Sequence, residues 1–315
     1  MATIKVLHPG FLTTLQDLGR FHYAHLGISA SGAADALSLR IGNLLVGNSE
    51  NAAAIEMTLV GGTFEFESDH LIAVTGSDFE PTVGGEPISR WRSILVKAGN
   101  QIKFGATRSG ARCYLSVQGG IQSLPTFGSV STHLVTGLGG LEGRALKKED
   151  SLQCNPTGPR ALPVMKQLPQ HIIALLEDRT TLRVTPGPQA DFFSSEAHSV
   201  FASSSYTLSE DSNRMGLRLI GASLTRTIQN EMLTEGVSLG SIQIPPSGQP
   251  IILFVEHQTT GGYPKIANVI SADFHRLGQL RPRDMIHFEP VSFKEAHRFL
   301  QQQEKLISSE SLITA

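Results

Sequence analysis

At 315 residues the chain is too long for one average domain and long enough for two, each with a core of its own. Its 26 Lys and Arg against 28 Asp and Glu leave a formal net charge of -2, which excludes a global pull toward nucleic acid or an anionic membrane. The two cysteines, Cys113 and Cys154, are too far apart for a CxxC redox motif, and no run of apolar residues approaches a membrane span. The N-terminal MATIKVLHPGFLTT lacks the apolar core of a signal peptide. The expectation is a soluble, reduced, cytoplasmic protein with no nucleic-acid and no membrane partner.

In chain order, the first notable stretch is Thr13-Thr14-Leu15-Gln16-Asp17-Leu18-Gly19-Arg20, polar and charged, leading through Gly27 toward a helix. Ser31 is the expected cap of that helix, which would run through Leu45 with Leu37, Ile41, Leu44 and Leu45 on one face and Gly47-Asn48 as its stop. From residue 63 to about 121, short strands alternate with turns: TFEFE, HLIAVTG, FEPTVGGEPI with a Gly-Gly hairpin signal, SILVKAGNQIKF and RCYLSVQGGI. That spacing points to a barrel or sandwich and away from βαβ units.

Three segments echo one another: Val96 to Phe104, Leu146 to Cys154 and Leu280 to Phe288 each run from an apolar residue through a polar turn to Asn or Asp and then an alternating strand. Either a related hairpin serves both halves, or generic turns look alike. Pro156, Pro159, Pro163 and Pro169 favour an extended linker. The expected division is a β subdomain over 1–158, a proline-rich linker over 159–178, a second β subdomain over 179–291, and a C-terminal helix and tail over 292–315. Ser292 with Glu295 forms a capping box for that helix, with Phe293, Ala296 and Leu300 on one face.

Several motifs fail on context. Gly236-Val237-Ser238-Leu239-Gly240 has the letters of a nucleophile elbow, but a strand ending in prolines follows where a helix is required. Val164-Met165-Lys166 has the letters of a biotin-carrying hairpin without a compact domain around it. The glycine-rich Gly137 to Arg144 could cradle an anion, yet it is no P-loop. His22 and His25 lack a carboxylate at ligand spacing, so no metal is expected.

Three stretches remain as ligand candidates: Gln16, Asp17 and Arg20; Asn213 and Arg214; and Gln258, Thr259, Thr260, Gly261, Gly262 and Tyr263, which follow Glu256 where the apolar run Ile251 to Val255 ends. Arginine holds a carboxylate or phosphate through paired hydrogen bonds. For Arg20 the alternative is a solvated pair with Asp17, and for Asn213-Arg214 a hairpin tip. A bare turn would need only Gly261-Gly262, with Gly261 expected at positive φ. The added Gln, two Thr and Tyr supply donors and acceptors on both faces of an extended segment. No catalytic residue is assigned.

Taken together, TTLQDLGR, RIGNLLVGN, LEGR, SNRMG, IQIPPSGQPI and QTTGGYPKIA resemble the carboxyltransferase-domain (subdomain A and B) family, which includes the C subunit of 5-oxoprolinase, allophanate hydrolase subunit 2 and the antagonist of the sporulation kinase inhibitor. The resemblance runs from about residue 4 to residue 290. It implies a mainly β fold of two cyclophilin-like β-barrel subdomains with a few short helices. It implies a subunit that works with B-subunit-like and A-subunit-like proteins of 5-oxoprolinase to open 5-oxoproline to glutamate with ATP, a hydrolase acting on a cyclic amide within a heteromeric complex. ATP would be shared with or supplied through that complex, since no P-loop lysine is present. Two alternatives follow from the same resemblance: a biotin-dependent carboxyltransferase acting on urea or a related small amide, and a non-catalytic regulator that binds its partner subunit.

Overall fold

The computed structural model describes residues 2–155, 165–228, 232–307 and 313–314. Its contacts divide the chain into two compact units. The first comprises Met1–Arg20, Ser31–Leu175 and Leu306–Ala315, the second Phe21–Ala30 and Leu176–Lys305. The chain thus enters the second unit briefly at 21–30, returns to it within a helix, Gln170–Glu177, and leaves it again after Lys305. Of the proline-rich stretch, Pro156, Pro159, Pro163 and Val164 lie outside the described residues.

The first unit contains strands β1 (Ala2–His8), β2 (Leu12–Gln16), β3 (Ala54–Thr58), β4 (Thr63–Phe66), β5 (His70–Asp78), β6 (Thr82–Val83), β7 (Glu86–Pro87), β8 (Ser93–Val96), β9 (Gln101–Lys103), β10 (Ser109–Val117), β11 (Ser151–Cys154) and β12 (Lys166–Gln167), with helix α1 (Ala36–Leu45) after β2. One sheet has the order β11-β1-β4-β9-β6-β7 and the other β2-β3-β10-β5-β8. Ile4, Val6, Phe64 and Phe66 from the first meet Leu15, Ile55, Ile72 and Val74 from the second in one core. Because α1 covers β5 and β10, β5 is enclosed on both faces and reads as a continuous buried run, without the alternation of a half-exposed strand.

The helix is capped by Asp35, whose carboxylate accepts from Ser38 N at 2.9 Å and Ser38 Oγ at 2.6 Å. This corrects the expectation of Ser31. That residue has φ 55°, outside the extended region an N-cap needs, and its buried hydroxyl donates to Thr132 O at 3.1 Å. The Gly-Gly hairpin forms between β6 and β7, with φ 59° at Gly84 and 92° at Gly85, the paired positive angles of a two-residue hairpin turn.

The second unit contains α2 (Gln170–Glu177, shared across the division), β13 (Thr181–Pro186), α3 (Ser195–Ser203), β14 (Ser205–Leu208), β15 (Gly216–Gly221), β16 (Glu235–Gly236), β17 (Ser241–Gln243), β18 (Ile251–Leu253), β19 (Thr260–Gly261), β20 (Lys265–Val269), α4 (Phe274–Gln279), β21 (Met285–Pro290) and α5 (Phe293–Leu306). Seven of the strands close into a barrel in the order β13-β20-β17-β18-β15-β14-β21, in which only β13 and β21 run parallel. Leu182, Tyr206, Leu217, Ile242, Ile252 and Phe288 are buried, and Phe201 of α3 stacks on Phe288 with ring centroids 4.4 Å apart. Outside the barrel, β16 and β19 form a separate two-stranded ribbon. The capping box opens α5: Ser292 N donates to Glu295 Oε2 at 2.9 Å and Glu295 N to Ser292 Oγ at 3.2 Å.

The three echoing segments share one turn. Asn100 N, Asp150 N and Asp284 N donate to the carbonyls of Lys97, Lys147 and Arg281 at 3.1, 3.3 and 3.0 Å, and the third turn residue is left-handed each time, Gly99 at 79°, Glu149 and Arg283 at 75°. Positive φ at that position, with Pro282 in the second place of the last copy, is the type II pattern. The expectation of a hairpin is corrected: the strand that follows pairs with a third strand, β9 with β4, β11 with β1 and β21 with β14.

Candidate functional site

In the first unit, Gln16 ends β2 and Asp17 to Arg20 continue into a loop, all but Leu18 buried. The Asp17 carboxylate accepts from Gly19 N at 2.8 Å, Ser129 Oγ at 2.6 Å, Val130 N at 2.8 Å and Ser131 Oγ. Those donors fill the acceptor capacity of a carboxylate. Arg20 is 2% exposed, so it is not the solvated residue of the alternative reading. Its guanidinium donates to the carbonyls of Ser131 and Thr126. Gly139 fits only because it lacks a side chain: a Cβ would stand 2.1 Å from Ser131 O and 2.9 Å from Arg20 Nη2. Gln16 Nε2 donates to Thr132 O at 3.1 Å. These residues therefore organise loop 126–140. A cleft of about 640 Å³ beside them is lined by Asp17, Asn51, Gln122, Ser123 and Gln153 among others, with no basic side chain, so it offers no cation to an anionic ligand.

The glycine-rich Gly137 to Arg144 is likewise engaged internally. Arg144 donates from Nη1 and Nη2 to Asp150 at 2.7 and 2.9 Å and from Nε to Glu142 at 3.0 Å. The guanidinium holds the Asp150 carboxyl below the usual range. An anion cradle centred on Arg144 is thus replaced by a brace for the second copy of the recurrent turn.

In the second unit, Asn213 makes the hairpin tip between β14 and β15, its side-chain oxygen accepting from Met215 N at 2.8 Å and Gly216 N at 3.3 Å, a local Asn turn. Arg214 is 8% exposed and Glu256 3%. Arg214 Nε donates to Glu256 Oε1 at 2.6 Å, and Glu256 N to Arg214 O at 2.8 Å. The tip and the segment after β18 are joined by this pair, a connection no local window of sequence displays.

Past Glu256, the His257 ring contacts Gln258 O at 2.6 Å, and burial lowers the His257 pKa. Thr259 O accepts from Val237 N at 3.1 Å, and Thr260 and Gly261 pair with Gly236 and Glu235 in the β16–β19 ribbon. Gln258, Thr260 and Tyr263 are exposed, while Thr259, Gly261 and Gly262 are partly so. Neither Gly261 nor Gly262 has a positive φ, which corrects the expected reason for Gly261. The constraint is close approach: a Cβ on Gly261 would lie 2.6 Å from Gln243 Nε2 and 3.5 Å from Gln258 Nε2.

Two residues beside this segment were missed by sequence reasoning, Gln243 and Lys265. They face each other across β17 and β20 and are each 2% exposed. Lys265 Nζ meets Glu235 Oε1 at 2.5 Å, which lowers the Glu235 pKa together with a bond from Gln189. The available signal was a lysine and a glutamine inside the apolar strand patterns YPKIANVI and SIQIP, since a lone polar residue there is buried at a cost unless it has a task.

Elsewhere, Ser238 lies between strands and contacts Ser241 Oγ at 3.1 Å, with no helix after it. Lys166 sits in β12, paired with Ile313–Thr314. Both cysteines are free and buried, the Cys154 thiol pushed up to about 12 by burial, so neither is a ready nucleophile.

The model of the carboxyltransferase domain, subdomain A and B, matches residues 26–290. The chain is 42% identical over 303 residues to the C subunit of 5-oxoprolinase from Escherichia coli, covering 96% of both. It is 33% identical to urea amidolyase of Saccharomyces cerevisiae, covering 97% of this chain but 18% of that one. The crystal structure of the K. lactis urea amidolyase superposes with a TM-score of 0.90 at 30% identity, over 99% of this chain and 21% of that protein. The chain therefore spans a small part of the amidolyases it matches and nearly the whole of the bacterial subunit. With two β units, one a closed barrel, and this match over most of its length, the chain belongs to the carboxyltransferase-domain family, subdomain A and B.

Proposed function

We propose that this chain is the C subunit of an ATP-dependent 5-oxoprolinase, acting with B-subunit-like and A-subunit-like proteins to convert 5-oxoproline, ATP and water to glutamate, ADP and phosphate in the cytoplasm. The observation that carries the reading is end-to-end similarity, at 42% identity, to a bacterial protein of that name. A lactam carbonyl is a poor electrophile, and phosphorylation of its oxygen activates the carbon toward water. The C–N bond then breaks to free the amine and leave an acyl phosphate, and a second water hydrolyses that acyl phosphate to carboxylate and phosphate. Such a site must hold a carboxylate and orient an amide. The segment Gln258 to Tyr263 offers a side-chain amide and hydroxyls for that work, next in sequence to Glu256, which is ion-paired with Arg214, and Asn213 adds a side-chain amide at the hairpin tip before Arg214. Within the first unit, Gln16, Asp17 and Arg20 shape loop 126–140. ATP contacts are assigned to the complex and not to a nucleotide loop of this chain.

The test is glutamate formation from 5-oxoproline and ATP by the chain co-purified with its B subunit, in the presence of the A subunit, omitting each protein in turn. Activity lost without this chain supports the reading, and full activity without it rejects it. Likeness to urea amidolyase over 99% of the chain favours a second reading, biotin-dependent carboxyl transfer to a small amide. Carboxylation that requires a biotinylated carrier, with no glutamate formed from 5-oxoproline, would favour that one.

A further inference from the structure

Lys265 Nζ is out of solvent contact, and an ammonium carries three N–H donors. Its ion-pair partner among the described residues is Glu235, whose side chain is 43% exposed. Opposite it on β17, the buried Gln243 Nε2 has no hydrogen-bond partner among the described residues. A buried ammonium and a buried amide with donors to spare, on one face of a β pair, are costly to keep unless an acceptor joins them. The two side chains leave paired positions of β17 and β20, next to the register shift between Ile242 and Gln243, and a carboxylate can accept from two donors at once.

The ribbon of β16 and β19 borders the pair on two sides. Glu235 approaches Lys265, and Gly261, bare of side chain, comes up against Gln243 Nε2. Gln189 steadies Glu235, its Nε2 donating to Glu235 Oε1 at 2.8 Å while its own Oε1 accepts from Lys265 N at 3.2 Å. The acceptor now at the ammonium is thus a carboxylate on a two-residue strand with access to solvent.

We propose that Gln243 and Lys265 form the seat for the carboxylate of a small amide ligand, and that Glu235 fills this seat until the ligand displaces it. That the ligand is 5-oxoproline rests on the oxoprolinase reading; the seat itself rests on the paired donors.

The experiment is calorimetric titration of the full-length chain with 5-oxoproline, with 2-pyrrolidinone, which has the same lactam and no carboxylate, and with glutarate, which has carboxylates and no lactam. The seat predicts that Lys265→Met and Gln243→Glu weaken 5-oxoproline by about tenfold or more while leaving 2-pyrrolidinone unchanged. Glu235→Gln, a change at an exposed position that spares the fold, should tighten 5-oxoproline. Equal affinity of wild type and both seat variants for 5-oxoproline overturns the proposal, and an unchanged Glu235→Gln overturns the placeholder role. If wild type ignores 5-oxoproline but binds glutarate in a Lys265-dependent way, the seat stands and the oxoprolinase reading falls. If neither carboxylate binds, the seat falls.

Discussion

Glu149 in the first unit and Arg283 in the second hold the same left-handed angle, φ 75°, at the same place in the same turn. Each donates its N–H to a neighbouring strand, Glu149 to Val6 O of β1 and Arg283 to Leu208 O of β14, both at 2.8 Å. The turn recurs because it delivers a strand to a waiting edge, and glycine occupies the strained place only in the copy with Gly99.

A left-handed backbone disfavours any residue with a Cβ, so Arg283→Gly should raise stability by about 0.5–1 kcal/mol. The ion pair it removes, Arg283 with Glu210, is exposed on both sides and offsets little. Gly99→Ala should lower stability by about 1 kcal/mol. Urea midpoints measure both, and a fall for the first would reject the shared-turn account.

Asp17→Ala leaves two buried hydroxyls and two backbone N–H groups without their acceptor. The expected loss is about 3 kcal/mol or more. Asp17→Asn, which retains one acceptor oxygen, should lose less. Equal stability of wild type and Asp17→Ala in urea titration would contradict a structural role for this carboxylate.

Arg214→Ala removes the ion-pair partner of Glu256, which is 3% exposed, and should cost about 3–5 kcal/mol. The double change Arg214→Met with Glu256→Leu should recover most of that loss, because the desolvated charge goes with its partner. Thermal melts of the three proteins decide it, and a double variant no better than the single would show that the pair contributes more than charge compensation.

Gly261→Ala should displace the Gln243 amide, which a Cβ would meet at 2.6 Å, whereas at Gly262 the nearest atom is an ordinary contact at 3.5 Å. Ligand affinity should therefore fall for the first and hold for the second, with similar melting temperatures. Equal affinities would show that Gln243 shifts freely.

Burial lowers the His257 pKa from its usual value. A depressed histidine binds more protons when unfolded, so stability is full above about pH 6.5 and declines as pH falls toward the folded pKa. His257→Gln should flatten that part of the curve. Melting temperatures from about pH 7.5 to about pH 5.5, a window that brackets the ordinary histidine pKa, test the sign. A rise on acidification that His257→Gln abolishes would reverse it.

Much was legible locally. Ser292 and Glu295 specify their cap within one turn, and Gly84-Gly85 specify their hairpin within four residues. Ser31 misled because a good capping side chain sat on a left-handed backbone that no window reveals. Asp17 and Arg20 read as a ligand pair because their true partners, Ser129 to Ser131, lie more than a hundred positions away.

The sequence by itself determined the β-rich class, the turns between strands and the family, since these depend on residue order, short-range backbone preference and motifs in a fixed succession. Only the tertiary structure decided which polar residues are buried and which partners they meet. Closing the barrel sets Gln243 opposite Lys265 and brings the β16–β19 ribbon against both. Burial, and hence the cost of an unmatched donor, is a property of neighbours brought together by folding and not of neighbours along the chain.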